Sequence, residues 1–233
     1  MKRLSRALGA LAALALLAGA NDPNNPTCPE SPDWGPAKAM TLTKRDVDGI
    51  RVLVAEGIID ATLPQRLKRA IDGDDKIGEI WLRSRGGDAR AGNEAGKVIR
   101  SYPGMVTRIP SGWTCFSSCN FVFMGGQPRF VDEGGTFMVH MFTHTNDRES
   151  IFLAAEEGTA ETVRLIADIE QASALLATED NDFLIRMGVS RDLLTEVMYR
   201  QQAVGTDENP STRYCLSQDE VREYNVVTEV TPG

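Results

Sequence analysis

Gly86-Gly87, Ser117-Ser118 and His140 follow one another along the chain, each at the end of a short apolar run. Acyl transfer needs three parts: a hydroxyl nucleophile, a base to take its proton, and backbone N–H groups that cradle the oxyanion. The series supplies all three in order and points to serine hydrolase chemistry. Each residue also has a plainer use: a serine caps a helix, a glycine pair makes a tight turn, and a histidine hydrogen-bonds at a strand end. The chain holds two histidines, so His144 is the sole other base of this type. His140 and His144, with Asp147 and Glu149, also invite a metal reading. Histidines four apart share a face on a helix, whereas residues 136–139 read as strand, so no metal is predicted.

The elements that must position these groups alternate between strand and helix. Residues 50–54 form a β-branched strand, and Leu63, Leu67, Ala70 and Ile71 share one face of a helix with Pro64 in its first turn and Asp72-Gly73 at its end. Residues 77–82 form the next strand, the glycine loop follows, and Ala95, Val98 and Ile99 mark a second helix. A strand at 105–109, a helix from the serines through 121–124 and a strand at 136–139 complete the alternation, which implies a largely parallel sheet covered by helices. Downstream, Leu165, Ile169, Ala172 and Leu176 stripe a long helix over 160–177. A second helix is expected over 181–187, ending at Gly188, and a third capped by Ser190 and running through Leu193, Leu194 and Val197. This late helical region is where an active-face cover or a homo-oligomer contact would lie.

The amino-terminal 20 residues carry Lys2, Arg3 and Arg6, an apolar run over 7–17 and the small residues Ala18-Gly19-Ala20. That is the form of an export signal cleaved after Ala20, and the run falls short of the roughly 20 apolar residues that span a bilayer. The mature chain is therefore expected in a bacterial periplasm or secreted, without stable membrane insertion. Loss of those three cations and no acid moves the net charge from −8 to −11, an unfavourable balance for binding nucleic acid. About 210 residues remain, enough for one core, here assigned to residues 46–233. Residues 21–45 are rich in Pro, Asn and Asp and are expected to form a loosely ordered lead-in. The four cysteines Cys28, Cys115, Cys119 and Cys215 are disulfide candidates in an oxidising compartment, with three connectivities open. Pairing Cys115 with Cys119 would leave Cys28 and Cys215 to tie the lead-in to the C-terminal region; zinc binding lacks the CxxC pair it usually wants.

Taken together, Ser84-x-Gly86-Gly87-x-x-x-x-Gly92, Ser117 followed by Gly126 and Arg129, and Val139-His140 resemble the ClpP serine peptidase group of the ClpP/crotonase fold. The Cys-x-Ser-Ser-Cys form behind an export signal is most similar to uncharacterised periplasmic ClpP-like proteins. Met187-Gly188-Val189-Ser190 and Leu216-Ser217-x-x-Glu220-x-x-x-Tyr224 extend the likeness to about residues 49–230. The resemblance implies an α/β spiral of βα units with a mostly parallel sheet and a C-terminal helical region. It also implies Ser117 as nucleophile, His140 as base, the amides of Gly87 and Ser118 as oxyanion donors, no cofactor, and a peptide or protein substrate. One part departs from the pattern. Where the family carries an aspartate, one register gives Thr212 or Arg213 and another Gln201; Asp207 and Glu208, in an apparent insertion, are the candidates for the third triad member. Loss of that acid's role costs about 10⁴ in rate in serine proteases. An inactive ClpP-like binding or scaffold module is therefore the alternative to a serine hydrolase, with a metal-dependent hydrolase third.

Overall fold

A computed structural model describes residues 20–145 and 147–228. The expected export signal, apart from Ala20, lies outside the described residues. The chain begins with a small ribbon of β1 (Asn21–Asp22) and β2 (Asn25–Pro29). It then runs through β3 (Thr41–Val47), β4 (Ile50–Glu56), α1 (Leu63–Asp72), β5 (Ile77–Arg83), α2 (Ala89–Arg100) and β6 (Val106–Ile109). Next come β7 (Thr114–Phe116), α3 (Cys119–Met124), β8 (Arg129–Val131) and β9 (Thr136–Val139). The last stretch holds α4 (Arg148–Glu157), α5 (Thr159–Met187), β10 (Tyr214–Cys215) and α6 (Gln218–Glu223). Among the described residues, no helix is long and apolar enough to cross a membrane.

Five strands form the main sheet in the order β3-β4-β5-β6-β8, parallel throughout except for the antiparallel edge strand β3. Its β4 and β5 carry the near-continuous apolar runs that two covered faces demand, with Val52, Leu53, Val54, Ile80 and Leu82 fully buried. A second sheet, β10-β9-β7, joins β7 and β9 in parallel and adds β10 antiparallel at the edge of β9. The fold is thus α/β with a mostly parallel sheet, as the alternation predicts. Phe123 and Phe137 meet edge-on at 5.8 Å in the core between α3 and β9, and burying each contributes roughly 1.5–3 kcal/mol.

The structure departs from the sequence expectations in three places. Residues 21–45 are not loosely ordered: Cys28 of β2 is bonded to Cys215 of β10, and the chain enters β3 at Thr41. Composition pointed to disorder, but the lead-in is held by a covalent bond and by ladder bonds to β4. The two helices expected over 160–177 and 181–187 are one, α5, because Ala177-Thr178-Glu179-Asp180 contains no glycine or proline to break it. It ends at Gly188 in the left-handed conformation, as expected of a C-terminal glycine. The third helix is instead a π-helical turn over Leu193–Val197 followed by a 3₁₀ turn over Met198–Arg200, and Ser190 accepts from the Asp192 amide just before it.

Candidate active site

Ser117 lies in the two-residue link between β7 and α3 and is one of three described non-glycine residues with positive φ, at +59°. A left-handed serine costs conformational energy, and such strain concentrates where a side chain must be thrust out of a sharp turn. The turn closes because the Asn120 amide donates to Ser117 O, and because Cys115 and Cys119, on either side of the serine, are joined with Cα atoms 5.4 Å apart. Asn120 then fastens α3 to the neighbouring strand by donating from Nδ2 to Met138 O at 2.7 Å.

That hydrogen bond sets Ser117 beside the end of β9, where His140 follows Val139. His140 Nε2 and Ser117 Oγ are 2.7 Å apart, and the Phe116 ring packs 4.7 Å from the imidazole. Ser118 takes no part in this pair. It is buried, its Oγ has no hydrogen-bond partner among the described residues, and a Cβ on Gly92 of α2 would stand 2.8 Å from its own Cβ.

The glycine loop closes on the same turn. Ser84, buried at the end of β5, donates to Gly57 O and accepts from the Gly86 amide at 3.0 Å, which starts the loop. Gly86 has φ +87°, and a Cβ there would stand 2.7 Å from Ser117 Cβ and 3.1 Å from Ser118 N, so only glycine fits. Ile59 brackets the loop, donating to Gly86 O and accepting from Asp88 N. The amides of Gly87 and Ser118 have no acceptor among the described residues, which leaves both free beside Ser117. Asp88 caps α2 by accepting from Ala91 N at 2.8 Å, and Gly92 and Gly96 let α2 approach the backbone of Ser118 and Phe121.

The strand paired with β9 brings a cation, Arg213, into the cleft that His140 lines, its guanidinium 3.8 Å from Asp22. The β10 register sets Tyr214 opposite Val139, so Arg213 falls opposite His140, and both line a cleft of about 390 Å³ with Arg148 and Thr212. Burial lowers the His140 pKa from its ordinary value, a hydrogen bond with the Met141 backbone raises it, and Arg213 lowers it further. Asp207 and Glu208 lie exposed in the Thr206–Asn209 turn, and neither makes a hydrogen bond or ion pair with His140. His144 sits in the loop after β9, edge-on to Phe142 at 5.1 Å, and does not share the environment of His140.

One acid does reach this site, and the sequence reading passed over it. Asp180 of α5 is buried and lines a narrow cavity together with Ser117, Ser118 and His140. A partial signal lay in the helical stripe Leu165, Ile169, Ala172 and Leu176, since Asp180 stands one turn beyond Leu176; Glu179 flanks the same stripe and is exposed, so the packing of α5 decides which acid is buried.

The four cysteines form two bonds, Cys28–Cys215 and Cys115–Cys119. Arg129, from the motif after Ser117, is buried and structural: it donates to the carbonyls of Gly126, Met187, Asn225 and Val226, joining the end of α3 to the end of α5 and the C-terminal turn.

No protein-family profile matches the chain, and no curated protein sequence does. Among solved structures it is similar to a point mutant of ClpP1 from Listeria monocytogenes, with 15% identity and a TM-score of 0.50 over 76% of this chain and 88% of that one. ClpP1 from Listeria monocytogenes itself aligns with 14% identity and a TM-score of 0.48 over the same shares. The chain therefore has a ClpP-like fold, and at this identity the likeness extends to the fold alone.

Proposed function

We propose that this chain is an exported serine hydrolase, in the first place a peptidase, that works through an acyl-enzyme on Ser117. The observation that carries the reading is the 2.7 Å pairing of His140 Nε2 with the hydroxyl of a serine held at positive φ between a strand and a helix. In the reaction His140 takes the Ser117 proton as Oγ attacks the acyl carbon, and the oxyanion enters the free amides of Gly87 and Ser118. His140 then protonates the leaving group, and a water, deprotonated by the same imidazole, releases the acyl group. No described carboxylate pairs with His140, so the two residues work as a dyad. Two disulfides support an oxidising location, in keeping with the basic and apolar N-terminal segment.

A fluorophosphonate probe tests the reading on the full chain. Labelling of the wild type that disappears in Ser117→Ala and falls sharply in His140→Ala is the expected result; a folded, disulfide-bonded wild type that takes no label rejects it. The second reading, a ClpP-like scaffold without activity, is favoured by one observation: no described carboxylate pairs with His140, and the charge that acts on it from the paired strand, Arg213, is a cation. It predicts that absence of label.

A further inference from the structure

Asp180 is 5% exposed, and its Oδ1 accepts from Asn93 Nδ2 at 2.8 Å. Its second oxygen has no hydrogen-bond partner among the described residues, and no described cation pairs with it. Burial holds its pKa up, to about 7; the Asn93 hydrogen bond lowers it and the neighbouring Glu179 adds to the rise. A carboxyl group without a counter-charge is costly to keep in such a place. What surrounds it is a cavity of about 40 Å³, lined by Phe121, Leu176 and Met198 as well as by Ser117 and His140.

The position of the cavity identifies the substrate segment it faces. It touches Ser117 and Ser118, the proposed nucleophile and oxyanion donor, whereas the larger cleft with Arg213 touches His140 but not Ser117. The acyl group stays bonded to Ser117, and the leaving group departs past the imidazole that protonates it. The narrow cavity is thus on the acyl side. Its volume has room for about three waters, which favours a slender side chain over a bulky one.

We propose that Asp180 is a specificity-determining residue at the end of an acyl-side subsite, which takes an unbranched substrate side chain ending in an ammonium group, as lysine does. The methylenes lie against Phe121, Leu176 and Met198, and the ammonium supplies the counter-charge that the carboxyl lacks, in a charge-assisted hydrogen bond. This rests on the assignment of Ser117 and His140 as a hydrolytic pair.

The test uses two aminoalkyl diphenyl phosphonates that differ only in a lysine or a norleucine side chain, alongside the fluorophosphonate probe. In the wild type, Ser117 is expected to react at least about tenfold faster with the lysine-type reagent, since a site that pairs a buried charge discriminates strongly against its absence. In Asp180→Asn, which keeps an acceptor for Asn93 and loses the charge, that ratio is expected to fall to near one; a thermal melt confirms that the variant folds. A wild type that takes fluorophosphonate but shows a ratio near one, or reacts with neither phosphonate, overturns the subsite and leaves the hydrolase reading standing. A ratio that stays above ten in Asp180→Asn overturns it too, by placing selectivity elsewhere. No fluorophosphonate label on the wild type removes both.

Discussion

The serine and the histidine of this site are held in opposite ways. Ser117 is fixed by its neighbours in sequence: a strand ends, a left-handed residue turns, a helix begins, and a disulfide spans four positions across the turn. His140 has no such local frame. It follows the last residue of β9, and the strand beside it, β10, comes from the far end of the chain and is anchored by a disulfide spanning 187 positions. A short closed loop removes little entropy from the unfolded chain and a long one removes much. One disulfide is therefore placed to shape the reacting group, and the other to hold the second sheet and the lead-in together.

The largest expected effect tests whether the two sides form one machine. Ser117→Ala and His140→Ala should each lower hydrolysis of an activated ester by about 10³-fold or more, and the double variant should be no slower than the worse single one. A double variant with multiplied losses would show that the two residues act separately, which would break the pairing on which the comparison depends.

Next in size is the loss of the long-range bond. Replacing Cys28 and Cys215 by serine should cost about 5 kcal/mol by the loop-entropy scaling, read from urea unfolding as a lower extrapolated stability with a steeper slope, because the uncrosslinked chain unfolds to a more expanded state. Replacing Cys115 and Cys119 should cost only about 2 kcal/mol by the same scaling. Its effect on turnover should be the greater of the two, about tenfold in kcat/KM, because the positive-φ turn at Ser117 loses its clamp. If the two pairs affected stability and turnover in the same proportion, the division of labour drawn here would not hold.

Legibility in the sequence follows the same division. The nucleophile side could be read from short-range pattern: Gly86-Gly87, Ser117-Ser118 and the β-branched runs of β4 and β5 all state their geometry within a few residues. The histidine side could not. β10 is two residues long and exists by pairing with β9, so nothing in Tyr214-Cys215 marks a strand, and the arrival of Arg213 opposite His140 is a matter of register. The edge strand β3 was hidden for a related reason: Thr41–Val47 carries Lys44, Arg45 and Asp46, which suit an exposed edge and read as loop. The continuity of α5 was legible in the absence of any breaker. Asp180 is not legible in the same way: Glu179 and Asp180 flank the apolar stripe of α5 equally, and only the packing of the helix on α2 and α3 buries one and exposes the other.

The smallest effect is a shift in pH dependence, and it isolates the histidine side. Only neutral His140 can take the Ser117 proton, so the rate of fluorophosphonate labelling should fall on the acid side as the imidazole is protonated. Burial and Arg213 both hold that pKa below the ordinary histidine value of 6.5, so labelling should persist through pH 6.5 and decline only below it. Arg213→Gln removes the cation and leaves the burial, and the acid-side midpoint should move up towards 6.5 without passing it. The sign for stability agrees. An imidazole kept neutral in the fold takes up its proton more readily when unfolded, so its contribution to stability is lost as pH falls from 6.5 towards the folded value, and the loss should be smaller in Arg213→Gln. A midpoint that stays in place in Arg213→Gln would mean that β10 does not set the electrostatics of the base, and that His140 owes its state to burial alone.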